Sequence, residues 1–107
     1  MLILDEPCAG LDPAAREHFL HFVHELSSDP EAPSLLLVTH HVEEIPPTFT
    51  HALLLKDGRK LEAGPLSSVL KDDILSELFD HSVRVRKRNG RYRLDVASAS
   101  EDDSRIF

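Results

Sequence analysis

Two adjacent carboxylates, Asp5 and Glu6, close the apolar run Met1-Leu2-Ile3-Leu4, and His40 stands just beyond a second apolar run, Leu35 to Val38. Neighbouring residues on a strand point to opposite sides, so one carboxylate can hold a metal ion while the other faces a water. Ligands of open α/β folds bind beyond the carboxyl ends of the strands, where all three groups fall. Taken singly, each is an ordinary polar strand exit. Their order along the chain carries the weight.

Positioning such groups requires strands buried on both faces, and the unbroken apolar character of both runs fits that, because alternation disappears when neither face meets water. Between them Asp12-Pro13 marks a helix start, with Asp12 as N-cap and Pro13 in the first turn. Phe19, Phe22, Val23 and Leu26 then recur at helical spacing up to about Ser27. Strand, helix and strand make a βαβ unit. Val42 to Ile45 gives one helical turn before Pro46-Pro47, and Ala52 to Lys56 reads as a third strand. Asp57-Gly58 turns it into a hairpin through Arg59 to Ala63, ended by Gly64-Pro65. Leu66 to Phe79 is helical with a break near Asp72-Asp73, and a second hairpin follows around Asn89-Gly90.

Composition narrows the classes. The 107 residues carry 41% hydrophobic and 29% charged residues, near ordinary globular values, and have room for one small core. Nineteen acidic residues against 12 basic ones give a formal charge of -7, which argues against nucleic-acid binding. One cysteine, Cys8, forms no internal disulfide and reads as a small loop residue. The sequence holds no apolar run long enough to span a bilayer, and the chain reads as cytoplasmic.

The run Leu2-Ile3-Leu4-Asp5-Glu6, followed by Ala9-Gly10-Leu11-Asp12 and then by Thr39-His40, resembles the Walker B motif, D-loop and switch histidine of the ATP-binding-cassette (ABC) ATPases, over at least Met1 to Leu61. The resemblance implies an α/β fold, a partial P-loop NTPase (RecA-like) sheet with flanking helices and a C-terminal β-hairpin. Residues 1–80 would be the C-terminal portion of the nucleotide-binding domain, 81–97 a hairpin packed on it, and 98–107 a disordered tail. Asp5 would support Mg²⁺ through water, Glu6 would polarise the water that attacks the γ-phosphate of ATP, and His40 would contact that phosphate. Asp12 would lie at the dimer interface with a second ABC ATPase subunit, and transmembrane permease subunits would bring the chain to the inner face of the membrane. The form of the D-loop and of Thr39-His40-His41-Val42-Glu43-Glu44 looks importer-like. Val38 to Arg59 resembles ATPases of molybdenum or iron-chelate uptake.

The sequence departs from that family in one respect. Its four glycines, Gly10, Gly58, Gly64 and Gly90, are scattered, and none belongs to a phosphate-binding loop ending in Lys-Ser/Thr. The glutamine loop and signature segment, which precede Walker B in the family, are missing as well. Three expectations follow: an ATPase portion that does not hydrolyse ATP alone, a non-catalytic module that pairs with intact subunits, or a longer ATPase with a misplaced start. The phosphate-loop strand would lie beside the strand ending at His40. The spacing therefore predicts an unpaired edge between Leu35–Val38 and Ala52–Lys56.

Other polar clusters read more simply. His18, His21 and His24 drift about 120° around a helix and do not converge on one metal. The basic residues Arg84, Arg86, Lys87, Arg88, Arg91 and Arg93 read as the wet face of the second hairpin.

Overall fold

The computed structural model describes residues 1–96, so the hairpin's last expected residue and the expected tail, 97–107, lie outside the described residues. Elements follow in the order β1 (Leu2–Asp5), α1 (Pro13–Ser27), β2 (Leu35–Val38), β3 (His51–Lys56), β4 (Arg59–Pro65), α2 (Leu66–Val69), α3 (Asp72–Phe79), β5 (Val83–Arg88) and β6 (Arg91–Val96). A single 3-10 turn at Val42–Glu44 follows β2. The strands pair as three two-stranded sheets, β1-β2, β3-β4 and β5-β6. β1 and β2 are parallel in the register Leu2 with Leu35 through Asp5 with Val38. β2 and β3 thus belong to separate sheets, as the expected unpaired edge requires.

The chain divides into two compact units. Residues Met1–Phe49 with Arg88–Tyr92 form the first, and Thr50–Lys87 with the following stretch from Arg93 form the second. In the first unit, Cys8, Leu20, Val23, Val42 and Tyr92 are buried together with the carboxylate residue Glu44. The buried stripe of α1 is centred on Leu20 and Val23, while Phe22 remains 59% exposed. The helical spacing that grouped Phe22 with Val23 placed two residues 100° apart on one stripe, and the true stripe runs through Leu20 instead.

α1 begins as its cap chemistry dictates. The Asp12 carboxylate accepts the Ala15 amide at 2.8 Å, and Pro13 occupies the first turn, where its missing N–H costs nothing. Asp12→Ala is expected to lower stability in urea denaturation by about 1 kcal/mol, with Asp12→Asn near neutral. Equal stability of the alanine variant would remove the cap from the account.

β1 and β2 correct the expectation of strands buried on both faces. Ile3 is 59%, Leu36 47% and Val38 41% exposed, because each strand has one strand neighbour among the described residues. An apolar run records hydrophobicity; burial also needs a layer to cover it.

In the second unit, Asp57 and Gly58 both have positive φ, 52° and 74°, the turn that matches the twist of a two-residue hairpin. A register shift opposite Leu54 and Leu55 leaves Leu61 as an extra residue, a bulge in β4. β4 ends at Gly64-Pro65, and these two residues still pair with Ala52 and His51, so the ladder runs two residues past the expected Ala63. Pro65 sits last, where a missing N–H is tolerated. The helical stretch after it breaks at Leu70-Lys71, and Asp72-Asp73 open the first turn of α3, where carboxylates suit the helix dipole. Leu66, Val69, Leu70, Leu75 and Val83 are buried in this unit. Lys56 donates to the Glu77 carbonyl at 2.5 Å and to Asp80 at 2.7 Å, and the Asp80 contact raises its pKa.

Candidate active site

The first unit carries every residue that the sequence singled out for chemistry. Asp5 ends β1, and its exposed carboxylate makes no side-chain contact among the described residues. Glu6 follows with φ at 48°, a left-handed conformation that costs a non-glycine residue about 1–2 kcal/mol and is held because its N–H donates to the Val38 carbonyl at 2.8 Å. Backbone outliers of this kind concentrate at functional sites. The twist turns Glu6 away from the strand direction and toward the exit of β2.

There it meets His40. Nδ1 of His40 is in ion-pair contact with Oε2 of Glu6, an oxygen that makes no hydrogen bond among the described residues; the glutamate side chain is 28% exposed and the histidine side chain 83%. Parallel pairing of β1 and β2 brings their carboxyl ends side by side, which is why residues 34 apart in sequence touch. Asp12 lies farther along the loop, where Gly10 takes φ 83° and Leu11 N–H donates to the Cys8 carbonyl at 3.0 Å. Its carboxylate is committed to the Ala15 cap. The structure therefore joins Glu6 with His40, sets Asp5 beside Glu6 in the chain, and leaves Asp12 in a separate contact.

A second set of contacts, not legible in the sequence, holds the segment around His40. Thr39 Oγ1 donates to the Glu44 carboxylate at 2.6 Å and accepts the His41 amide at 3.1 Å. His41 Nδ1 lies 3.2 Å from the Glu43 carboxylate. Arg91, at the start of β6, forms a two-pronged pair with Glu17 on α1, at 3.0 and 3.3 Å, and its Nε donates to the Glu43 carbonyl at 3.1 Å. Arg91 thereby departs from the expected wet face. Its guanidinium holds the Glu17 carboxyl below the usual range. Cys8 is buried within this unit, and burial, with the Glu44 carboxylate second, pushes its thiol pKa up, away from the reactive thiolate.

The first unit sets two carboxylates and an imidazole at the joined ends of β1 and β2. Asp5 offers a free carboxylate of the kind Mg²⁺ takes alongside phosphate oxygens and waters. Glu6 and His40 offer an acceptor and an imidazole on the same edge. No described backbone segment has the glycine-rich loop and Lys-Ser/Thr that cradle phosphates, so these residues fit a hydrated metal ion but not the phosphates of a nucleotide.

No family profile matches the chain. Curated proteins do. An uncharacterised ABC transporter ATP-binding protein of Bacillus subtilis, YlmA, is 48% identical over 85 residues, 79% of this chain and 32% of the relative. The molybdenum import ATP-binding protein ModC of Aromatoleum aromaticum is 36% identical over 70 residues, 65% of this chain and 18% of its own length. A solved ABC transporter, described as of metal-chelate type and inward-facing, superposes with a TM-score of 0.71 over 90% of this chain and 39% of that one, at 20% identity. That likeness shows the fold, an α/β architecture of the P-loop NTPase type. The chain spans about a third of the length of the first curated relatives it matches. Across most of its length, this chain belongs to the ABC transporter ATP-binding proteins.

Proposed function

We propose that this chain supplies the water-activating half of an ABC importer's ATP site, the half that carries Walker B, D-loop and switch histidine. The pairing of Glu6 with His40 at the joined ends of β1 and β2 carries the reading. Asp5 holds the metal side through water. Glu6 accepts a hydrogen bond from the attacking water and so aims its lone pair. His40 would contact the terminal phosphate, and Asp12 would face a second ATPase subunit. Mg²⁺, when bound with ATP, neutralises charge on the phosphates. The chemistry is positioning and charge stabilisation, so this half does little without a phosphate cradle.

The same reading gives the chain permease partners, contact with the membrane's inner face only through them, and a cytoplasmic location. No described helix is long and apolar enough to cross a membrane. Relatives named for molybdenum import and a neighbour of metal-chelate type support uptake of a metal-containing solute.

The test joins the part of YlmA that precedes its match to this chain's N-terminus, restoring a phosphate cradle from a 48%-identical relative. The joined protein is expected to hydrolyse MgATP at about 1–10 per second, the lower end of typical enzyme turnover. Tight MgATP binding without hydrolysis would overturn the reading, as would micromolar MgATP binding by the 107-residue chain alone.

A further inference from the structure

We propose that Arg91 is a positioning residue for His40, fixing the switch segment to the D-loop helix from the tip of the second hairpin. The proposal rests on the reading of His40 as the group that contacts phosphate.

The guanidinium has two tasks at once. Two nitrogens face the Glu17 carboxylate, and Nε and Nη2 converge on the Glu43 carbonyl. The fork of an arginine suits this division, whereas a lysine ammonium offers no fixed plane. Glu43 sits in the middle of the 3-10 turn Val42–Glu44. That turn is the anchor for the residues on either side of His40: Glu44 receives Thr39, and Glu43 receives His41. Holding the Glu43 carbonyl therefore holds both flanks of the histidine.

The other end of the clamp is no less specific. Glu17 lies in the second turn of α1, the helix that Asp12 caps. One side chain thus spans the segment bearing the D-loop residue and the segment bearing the switch histidine. The hairpin tip is docked firmly enough to serve as a base. A Cβ on Gly90 would come within 3.1 Å of two Pro47 carbons, and Tyr92 is 7% exposed. The Arg91 side chain is 28% exposed and its bonds to the Glu43 carbonyl are part-buried, whereas Glu17 is 53% exposed and that arm of the clamp is screened like other surface pairs.

The test uses the 107-residue chain first. In Arg91→Ala, amide exchange at Glu44 and Ile45, whose N–H groups close the 3-10 turn, is expected to rise about tenfold, with the β3-β4 amides unchanged. The His40 ring signals are expected to change as the ring leaves its contact with Glu6. Arg91→Lys is expected to restore the charge near Glu17 but not the exchange protection. Unchanged exchange and an unchanged His40 ring in a folded Arg91→Ala variant would overturn the proposal. In the joined ATPase, Arg91→Ala is expected to lower kcat about tenfold while the KM for MgATP stays within about twofold. A matching loss in KM alone would assign Arg91 to nucleotide binding and reject the positioning role. If the joined wild type is inactive, the function reading fails while the exchange arm still decides the clamp.

Discussion

Replacing Glu6 by glutamine in the joined ATPase is expected to lower ATP turnover by about 10²- to 10⁴-fold, with MgATP affinity unchanged within about threefold. Glutamine has the shape of glutamate but carries no charge and cannot act as a base, so the loss isolates the carboxylate's work on water. Affinity survives because Glu6 is not part of the phosphate cradle. Residual turnover above about a tenth of wild type would show that another group prepares the water and would reject Glu6 in that role. Loss of the negative charge facing His40 is a built-in second effect of this change. The single variants Glu6→Gln and His40→Ala with their double therefore form a cycle, and residues acting as one unit give losses that fall far short of adding.

The second large effect concerns stability. Leu75→Ala is expected to cost about 2–5 kcal/mol in urea denaturation, because Leu75 is fully buried and its loss removes transfer energy and leaves a cavity. That is a large part of the ~5–15 kcal/mol that holds a typical domain. Phe22→Ala serves as the contrast. Although phenylalanine is the larger side chain, it is 59% exposed, and its removal is expected to cost within about 0.5 kcal/mol. The reverse order of costs would mean that the core of the second unit and the stripe of α1 are wrongly assigned.

The parts of the fold legible in the sequence were those set by local chemistry. Asp12-Pro13 started α1, Asp57-Gly58 and Asn89-Gly90 turned their hairpins, and apolar runs became β1, β2 and β3, each from interactions within a few residues. The adjacency of Glu6 and His40 was also legible, because parallel strands of a βαβ unit present their ends together. What stayed hidden depended on distant partners. Nothing near Leu20 distinguishes it from Phe22 until the covering layer is known. Arg91 reads as one more cation in a basic hairpin, and only the arrival of Glu17 and the Glu43 carbonyl gives it a task. The left-handed turn at Glu6 was invisible for a similar reason, since it is imposed by the Val38 carbonyl on the neighbouring strand.

The clamp also sets a timetable. Glu17 and Arg91 are 74 residues apart, and Arg88–Tyr92 joins the first unit only after the chain has laid down Thr50–Lys87 of the second. At the ordinary pace of about 5–20 residues per second, synthesis of the intervening stretch occupies about 4–15 s. During that interval the β1-β2 ends can meet, but the segment around His40 has no anchor from the hairpin. The site's geometry thus waits on the hairpin, and contacts this distant in sequence are also the slowest to form from an unfolded chain.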